Sequence, residues 1–362
     1  MTIAFFHQNE VIGAQGGIQR FLATLMDQGK EACFLVTESI PDQGNNRLCL
    51  PLIKIPKIPK WIRFTLTVWL NVFKIRAYLK EIKATTLEFS RAEYSLFAFF
   101  FPGKKVFTYH GTGPQKTELM QKAATSFFSW LVMFQADQVQ IVGPDARALP
   151  KFVQKKLKDK IVYVDAWYDD CFRPAPLPET DGPIKIFYAG RIHPQKNPEL
   201  LFKVAQAVRT KYGDDAEFHY YGADGNLIPP ETGVIDHGLQ SPEDLANGMR
   251  SCHFGILTSF YEGSPFIVIE TLACGRGYVI APILGVMRTY PEQPGVVFPE
   301  DYEVESFMKK IEDLSQQMKN GELTADIIAD KISHKSKRAV THALIDRLSS
   351  LGETSKQEKQ TA

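Results

Sequence analysis

The chain has 362 residues, more than one ordinary hydrophobic core organises, so two domains are expected. It is 44% hydrophobic and 23% charged with a formal net charge of +1, a soluble globular composition that gives no global argument for binding nucleic acid. Its five cysteines, Cys33, Cys49, Cys171, Cys252 and Cys274, are scattered and lack a C-x-x-C pair, which argues against a disulfide framework or a zinc site and suits a reducing cytosol.

From the start, the apolar run Ile3-Ala4-Phe5-Phe6 suits a buried parallel strand, with no basic region and long apolar run of the kind a secretory leader needs. A loop with Gly13, Gly16 and Gly17 leads into a helical pattern, Ile18, Phe21, Leu22 and Leu25, and then a second strand, Ala32 to Val36. Strand, glycine loop, helix and strand at this spacing form a βαβ unit, and Gly16 and Gly17 at the helix start suit an anion site. Residues 54–83 hold eight basic residues against one acid, Glu81, with Trp61, Phe64, Trp69 and Phe73 interleaved. A basic aromatic helix of that kind suits an anionic membrane surface, and it equally suits ordinary packing of the aromatic stripe on the domain. Further strands are expected at 94–101, 105–109 and 138–142, and His110 stands directly after the second of these.

Four prolines within 173–183 and no apolar periodicity mark a linker, taken as 171–183 between domains at 1–170 and 184–330. The second series alternates strand 184–189, helix 198–212, and strands at 217–221, 233–237, 254–257 and 278–281. A helix at 331–351, crossing back to the first domain, and a polar, disordered tail at 352–362 complete the expectation. No stretch of 18 apolar residues occurs, so no membrane span is expected. The fold class is α/β: two Rossmann-like doubly wound domains facing each other across a cleft, where open parallel sheets bind ligands.

The stretch Tyr261-Glu262-Gly263-Ser264-Pro265-Phe266-Ile267-Val268-Ile269-Glu270 sets two acids eight positions apart in a greasy segment. Ser264-Pro265 reads as a helix start with the serine as cap, and Gly275 as its stop. Glu262 then lies in the preceding loop and Glu270 inside a helix apolar nearly all round. A carboxylate there needs a partner, either a basic side chain or a ligand diol such as a ribose. The helix start at Ser264-Pro265-Phe266, through its uncapped N–H groups, suits a diphosphate, and Gly263 would let the backbone approach it. In "FYAGRIHPQKNPELLFKVAQAV" a strand ends at Gly190, and Arg191 and Lys196 flank the loop before a helix, which suits a diphosphate leaving group.

Glu-x7-Glu followed by "TLACGRGYVIAP" resembles the hallmark of retaining GT-B glycosyltransferases of the group-1 (family 4) type. "GR…K" at 190–196, "YYGADGNL" from Tyr220 and "DHGLQSPEDLANGMRSCHFGILTS" ahead of the two acids resemble the same family, so the likeness covers most of 184–314. The resemblance implies that Glu262 lies near the donor sugar, Glu270 holds the nucleotide ribose, and Arg191 and Lys196 stabilise the departing diphosphate. It also implies that the loop at Gly16-Gly17 approaches the substrates and that His110 contacts the donor sugar. Asp137 resembles an acid the family carries before a strand, and a structural role fits it equally.

Implied too are a nucleotide-diphosphate sugar donor of UDP or GDP type, no metal, and front-face attack with the leaving phosphate taking the proton. The acceptor would be a glycan or lipid-linked glycan, as in lipopolysaccharide or other cell-envelope polysaccharide synthesis, with a cytoplasmic protein peripheral on the membrane's inner face. The alternatives are another GT-B nucleotide-sugar enzyme, an epimerase or phosphorylase, or a non-catalytic nucleotide-sugar-binding subunit. The chain departs from the family pattern at Arg276-Gly277-Tyr278, at Gly285-Val286 with Arg288-Thr289, and at Ala166-Trp167. Those departures are expected to bear on which base and sugar are bound.

Overall fold

A computed structural model describes residues 2–8, 17–38, 46–51, 58–110, 119–143, 149–262, 264–291 and 293–360. The chain forms two compact units, 1–164 together with 338–362, and 165–337.

The first unit runs β1 (Thr2–His7), α1 (Gly17–Gln28), β2 (Cys33–Glu38), β3 (Arg47–Leu50), α2 (Lys60–Leu70) and α3 (Val72–Glu81). It continues with β4 (Ala84–Phe89), α4 (Ser95–Ala98), β5 (Lys104–His110), α5 (Leu119–Gln135), β6 (Gln138–Val142), α6 (Lys151–Lys156) and β7 (Ile161–Val164). The seven strands are all parallel in the order β3-β2-β1-β4-β5-β6-β7. Both faces of such a sheet are covered, which is why β1 reads as a continuous apolar run at Ile3–Phe6 and why even Gln138 and Gln140 of β6 are buried. Phe6, Phe89 and Phe107, from three adjacent strands, stack at 4.9 and 5.1 Å in the core.

The segment 94–101, expected as a strand, is instead a 3-10 turn (Ala92–Tyr94) followed by α4. A run of eight residues that is apolar but for Ser95 does not distinguish a buried strand from a buried helix. Packing decides it: Tyr94, Phe97, Ala98 and Phe101 point inward at helical spacing, while Phe99 and Phe100 face out. Strands β3, β4 and β7 were not expected. β4 carries Glu88 next to its last residue and follows directly on the helical pattern of α3, which hides its start.

The second unit contains β8 (Ile184–Ala189), α7 (Pro198–Tyr212), β9 (Ala216–Tyr221), β10 (Ile235–Asp236), α8 (Pro242–Arg250), β11 (Phe254–Leu257) and α9 (Phe266–Ala273). Then come β12 (Gly277–Ile280), α10 (Leu284–Thr289), β13 (Val296–Val297), α11 (Val304–Lys319) and α12 (Ala325–Asp330). Its six strands are again all parallel, ordered β10-β9-β8-β11-β12-β13. Each sheet reverses its winding once, beside its first strand: between β1 and β4, and between β8 and β11. In such sheets ligands bind outside the carboxyl ends of the strands at that reversal.

The proline segment after residue 171 belongs to the second unit, held there by Arg276. This side chain is fully buried, and its guanidinium donates to the carbonyls of Ala175 (2.8 Å), Pro176 (2.8 Å) and Arg250 (2.6 Å). The arginine at 276, one of the departures from the family pattern, therefore has a structural role. Burial lowers its pKa to about 10, still charged at neutral pH. The chain returns to the first unit in α13 (Lys337–Gln360), which spans the polar stretch from Gly352 onward. The hydroxyl of Thr86 in β4 donates to the Leu348 carbonyl of α13 at 2.8 Å.

Candidate functional site

In the second unit the loops after β8 and β11, neighbours at the reversal, are built as one piece. After β8, Gly190 takes φ +149°. Its N–H donates to the Tyr221 carbonyl at 3.0 Å, and its own carbonyl accepts from the Tyr220 hydroxyl at 3.0 Å. The Tyr188 hydroxyl donates to the Arg191 carbonyl at 3.1 Å. The Arg191 backbone is thus fixed while its side chain is exposed. The neighbouring "YYGAD" turn presses against this corner: a Cβ on Gly222 would stand 2.5 Å from the Gly190 carbonyl oxygen, so only glycine fits. Asp224 from the same turn accepts the Ile192 N–H at 2.9 Å.

A 3-10 turn (Pro194–Lys196), capped by His193, then brings Lys196 back toward the β11 loop. The Thr258 hydroxyl donates to the Lys196 carbonyl at 2.7 Å. Phe260 N–H donates to the Gln195 carbonyl at 3.0 Å, and the Gln195 amide to the Tyr261 carbonyl at 2.9 Å. At the end of this seam Lys196 Nζ meets Glu262 Oε1 at 2.5 Å, with both side chains largely buried. Two residues that the sequence assigns to the diphosphate and to the sugar are therefore an ion pair with each other. The Glu262 charge adds to burial in raising the pKa of the Tyr188 hydroxyl.

α9 follows directly. Its N-cap is Pro265, in an extended conformation, and no side chain caps it. The cap expected at Ser264 is thus a correction: the proline takes the cap position and the first helical residue is Phe266. Gly263 lies outside the described residues. The helix ends as expected, with Gly275 at φ +71°. Glu270, on its second turn, is 3% exposed.

In the first unit the strand ends beside the reversal carry two histidines. His7 ends β1 and His110 ends β5. His7 Nδ1 lies 2.8 Å from the Ser90 hydroxyl, which itself donates to the Phe6 carbonyl at 3.1 Å. Burial, with Arg91 nearby, lowers the His7 pKa to about 4. Burial, with His7 nearby, lowers that of His110 to about 3. Both rings are neutral at pH 7, and Nε2 of each is buried with no hydrogen-bond partner among the described residues. Phe21 of α1 meets the His110 ring edge-on at 5.3 Å. Gly17 opens α1, whereas Gly13 and Gly16 lie outside the described residues.

The sequence reading missed His7, although the signal was the one that singled out His110: a histidine directly after an apolar strand. It also missed Thr258, Gln195 and Asp224, whose partners lie 32 to 66 residues away. Asp137 is structural: its carboxylate accepts the Lys105 N–H at 2.8 Å and pairs with Lys104 at 3.3 Å. Among the described residues no group of three His, Cys, Asp or Glu could hold a metal ion. Nor is any helix there long and apolar enough to cross a membrane.

These two α/β units have the fold of GT-B glycosyltransferases. Solved structures along the whole chain share it. Sucrose-phosphate synthase (tll1590) from Thermosynechococcus elongatus superposes with a TM-score of 0.73 at 14% identity, covering 100% of both chains. Anabaena Alr3699/HepE in complex with UDP-glucose gives 0.67 at 12% identity, covering 98% of this chain and 100% of that one. The lipopolysaccharide outer core galactosyltransferase WaaB gives 0.65 at 15% identity, with 98% and 100% covered. Residues 183–317 match the family described as Glycosyl transferases group 1, so the second unit carries a group 1 glycosyl transferase domain. No curated protein matches the chain by sequence.

Proposed function

We propose that the protein is a retaining glycosyltransferase that moves a hexose or related sugar from a nucleotide-diphosphate sugar to a hydroxyl of a glycan or lipid-linked glycan. The observation that carries this reading is the seam at the β8/β11 reversal, in which hydrogen bonds tie the loop after β8 to the loop after β11 and pair Lys196 with Glu262, just after Arg191 and just before α9 in the chain. Arg191 and Lys196 meet the donor diphosphate, Glu270 accepts from the ribose hydroxyls, and Glu262 addresses the sugar. The HepE complexes, with UDP and with UDP-glucose, support a nucleotide-sugar donor. UDP and GDP donors are the two to try. WaaB supports lipopolysaccharide or other cell-envelope glycans as the acceptor class.

On this reading donor binding exchanges the Lys196–Glu262 ion pair for a Lys196–phosphate contact and frees Glu262 toward the sugar. As the bond from the anomeric carbon to the phosphate oxygen breaks, the acceptor oxygen bonds the same face of that carbon. Its proton passes to the departing phosphate, and no protein nucleophile is needed. Arg191, Lys196 and the α9 start stabilise the charge that develops on the leaving group. His110 and His7 are both neutral at pH 7 and carry no positive charge.

The test is incubation of the chain with UDP- and GDP-sugars and a panel of cell-envelope glycan acceptors, with product linkage read by NMR. A product of retained anomeric configuration, lost in Glu262→Ala, is expected. Nucleotide release without any acceptor would make it an epimerase, dependence on inorganic phosphate a phosphorylase, and binding without turnover a supporting subunit.

A further inference from the structure

The first unit presents a broad aromatic face that the reading above does not use. On α5, Phe127, Trp130 and Phe134 lie at helical spacing along one side, 51%, 45% and 67% exposed. Their rings touch in sequence, Phe127 to Trp130 at 6.5 Å and Trp130 to Phe134 at 4.8 Å. Beside them Phe99 and Phe100 follow α4, and Leu70 and Phe73, 78% and 87% exposed, sit at the junction of α2 and α3.

Side-chain contacts join these helices into one surface. The Trp61 ring of α2 packs edge-on against Phe128 of α5 at 5.4 Å. The Trp69 indole N–H donates to the Leu96 carbonyl of α4 at 3.3 Å, and the Gln135 amide of α5 donates to the Ser95 carbonyl at 3.0 Å. A monomer rarely exposes so much contiguous apolar surface without something to cover it.

Charge identifies the occupant. On the α2–α3 side stand exposed Lys60, Lys74, Arg76 and Lys80. On the other side α6, packed against α5, carries exposed Lys151, Lys155 and Lys156 beside exposed Phe152. The single acid in these four helices is Glu81 at the end of α3. We propose that this aromatic face, ringed by lysine and arginine, docks on an anionic lipid bilayer, its rings entering the interface while the cations meet the headgroups. A symmetric pair of copies would set one cationic ring against another, which disfavours self-association.

The expectation that 54–83 alone forms the membrane element is revised. Phe64 is buried and Trp61 is spent on α5, so the inserting residues come mainly from α5 and the turn after α4. The assignment deepens the glycosyl-transfer reading by giving the lipid end of a lipid-linked acceptor a surface to meet. It does not involve the donor site.

The test is co-sedimentation of the full chain with vesicles of phosphatidylcholine alone and with added phosphatidylglycerol, at low and high salt. The variants are Trp130→Ser/Phe134→Ser and Lys74→Glu/Lys80→Glu, each checked by circular dichroism and UDP-sugar titration. The chain should bind only the anionic vesicles and release in high salt. The aromatic pair should weaken binding at least about tenfold, since each buried aromatic side chain contributes a similar factor. The lysine pair should remove the salt-sensitive part, with the fold and donor titration unchanged in both. No binding to anionic vesicles, equal binding by both variants, or a wild-type dimer that Trp130→Ser/Phe134→Ser converts to monomer would overturn the proposal. Vesicle binding with no nucleotide sugar bound would leave it standing and remove the transferase reading instead.

Discussion

The two units share a strand order and present their polar groups differently. In the second unit the groups assigned to the donor come from two loops at neighbouring strand ends, and a glycine corner, a capped turn and backbone hydrogen bonds fix them relative to one another. In the first unit His7, Ser90 and His110 come from three separate strand ends, and among the described residues one hydrogen bond, His7 to Ser90, links them. A diphosphate and a ribose ask for a few groups at set spacing, which one strand–loop–helix corner and its neighbour supply.

That contrast breaks most sharply at Arg276. Arg276→Ala leaves the carbonyls of Ala175, Pro176 and Arg250 without their donor in a fully buried place, at a cost of about 3 kcal/mol. Urea denaturation followed by hydrogen exchange should show the loss in the second unit, with β1, β4 and β5 still protected. Arg276→Lys should not rescue it, because one ammonium cannot reach three separate carbonyls as the planar fork does.

Next in size is the ion pair. Lys196→Ala should weaken nucleoside-diphosphate binding by about 2 kcal/mol, the value of a charged hydrogen bond. Glu262→Gln frees Lys196 and should leave binding unchanged or tighter while turnover falls. Calorimetry and initial rates on the two variants separate them, and equal loss of binding in both would sink the exchange described above.

Titration distinguishes the first unit. Burial first, with Arg91 for His7 and with His7 for His110, lowers these pKa values to about 4 and about 3, from 6.5 for each. Both contributions are present above the unfolded value of 6.5 and fall away as pH drops through the interval below it. Glu88 in β4, raised from 4.5 to about 8 by burial, acts oppositely, its contribution fading as pH rises from 4.5 toward 8. Stability from these groups should peak near pH 6.5, each changing it by at most about 1.4 kcal/mol per pH unit. Urea midpoints measured across pH 4.5 to 8 test this, and Glu88→Gln should flatten the limb above 6.5. The smallest effect is at the seam: Thr258→Val should cost about 1 kcal/mol and loosen the Lys196 turn, visible as faster amide exchange there.

How far the sequence carried depends on the range of the interactions involved. β6, β8, α7 and β11 were legible to the residue because apolar runs and their flanking breakers are local signals. Arg191, Lys196, Glu262 and Glu270 were singled out by local signals too, since they stand at fixed distances from a glycine or a helix start. What escaped was set by packing. Residues 94–101 became helical because four of them meet the same core, β4 hid behind α3, and Pro265 displaced Ser264 as cap. The structural role of Arg276 escaped too, because the carbonyls of Ala175 and Pro176 that it serves lie about a hundred residues back along the chain.

The central claim is that Lys196 and its seam hold the diphosphate of a nucleotide sugar. Calorimetric titration of the wild type and Lys196→Ala with UDP-glucose, GDP-mannose, UDP and UMP tests it most directly. The account predicts that a sugar nucleotide and its diphosphate bind the wild type, and that Lys196→Ala weakens the diphosphate about tenfold or more while barely altering the monophosphate. Equal affinity of the two proteins for the diphosphate, or no binding of any nucleotide, would contradict it.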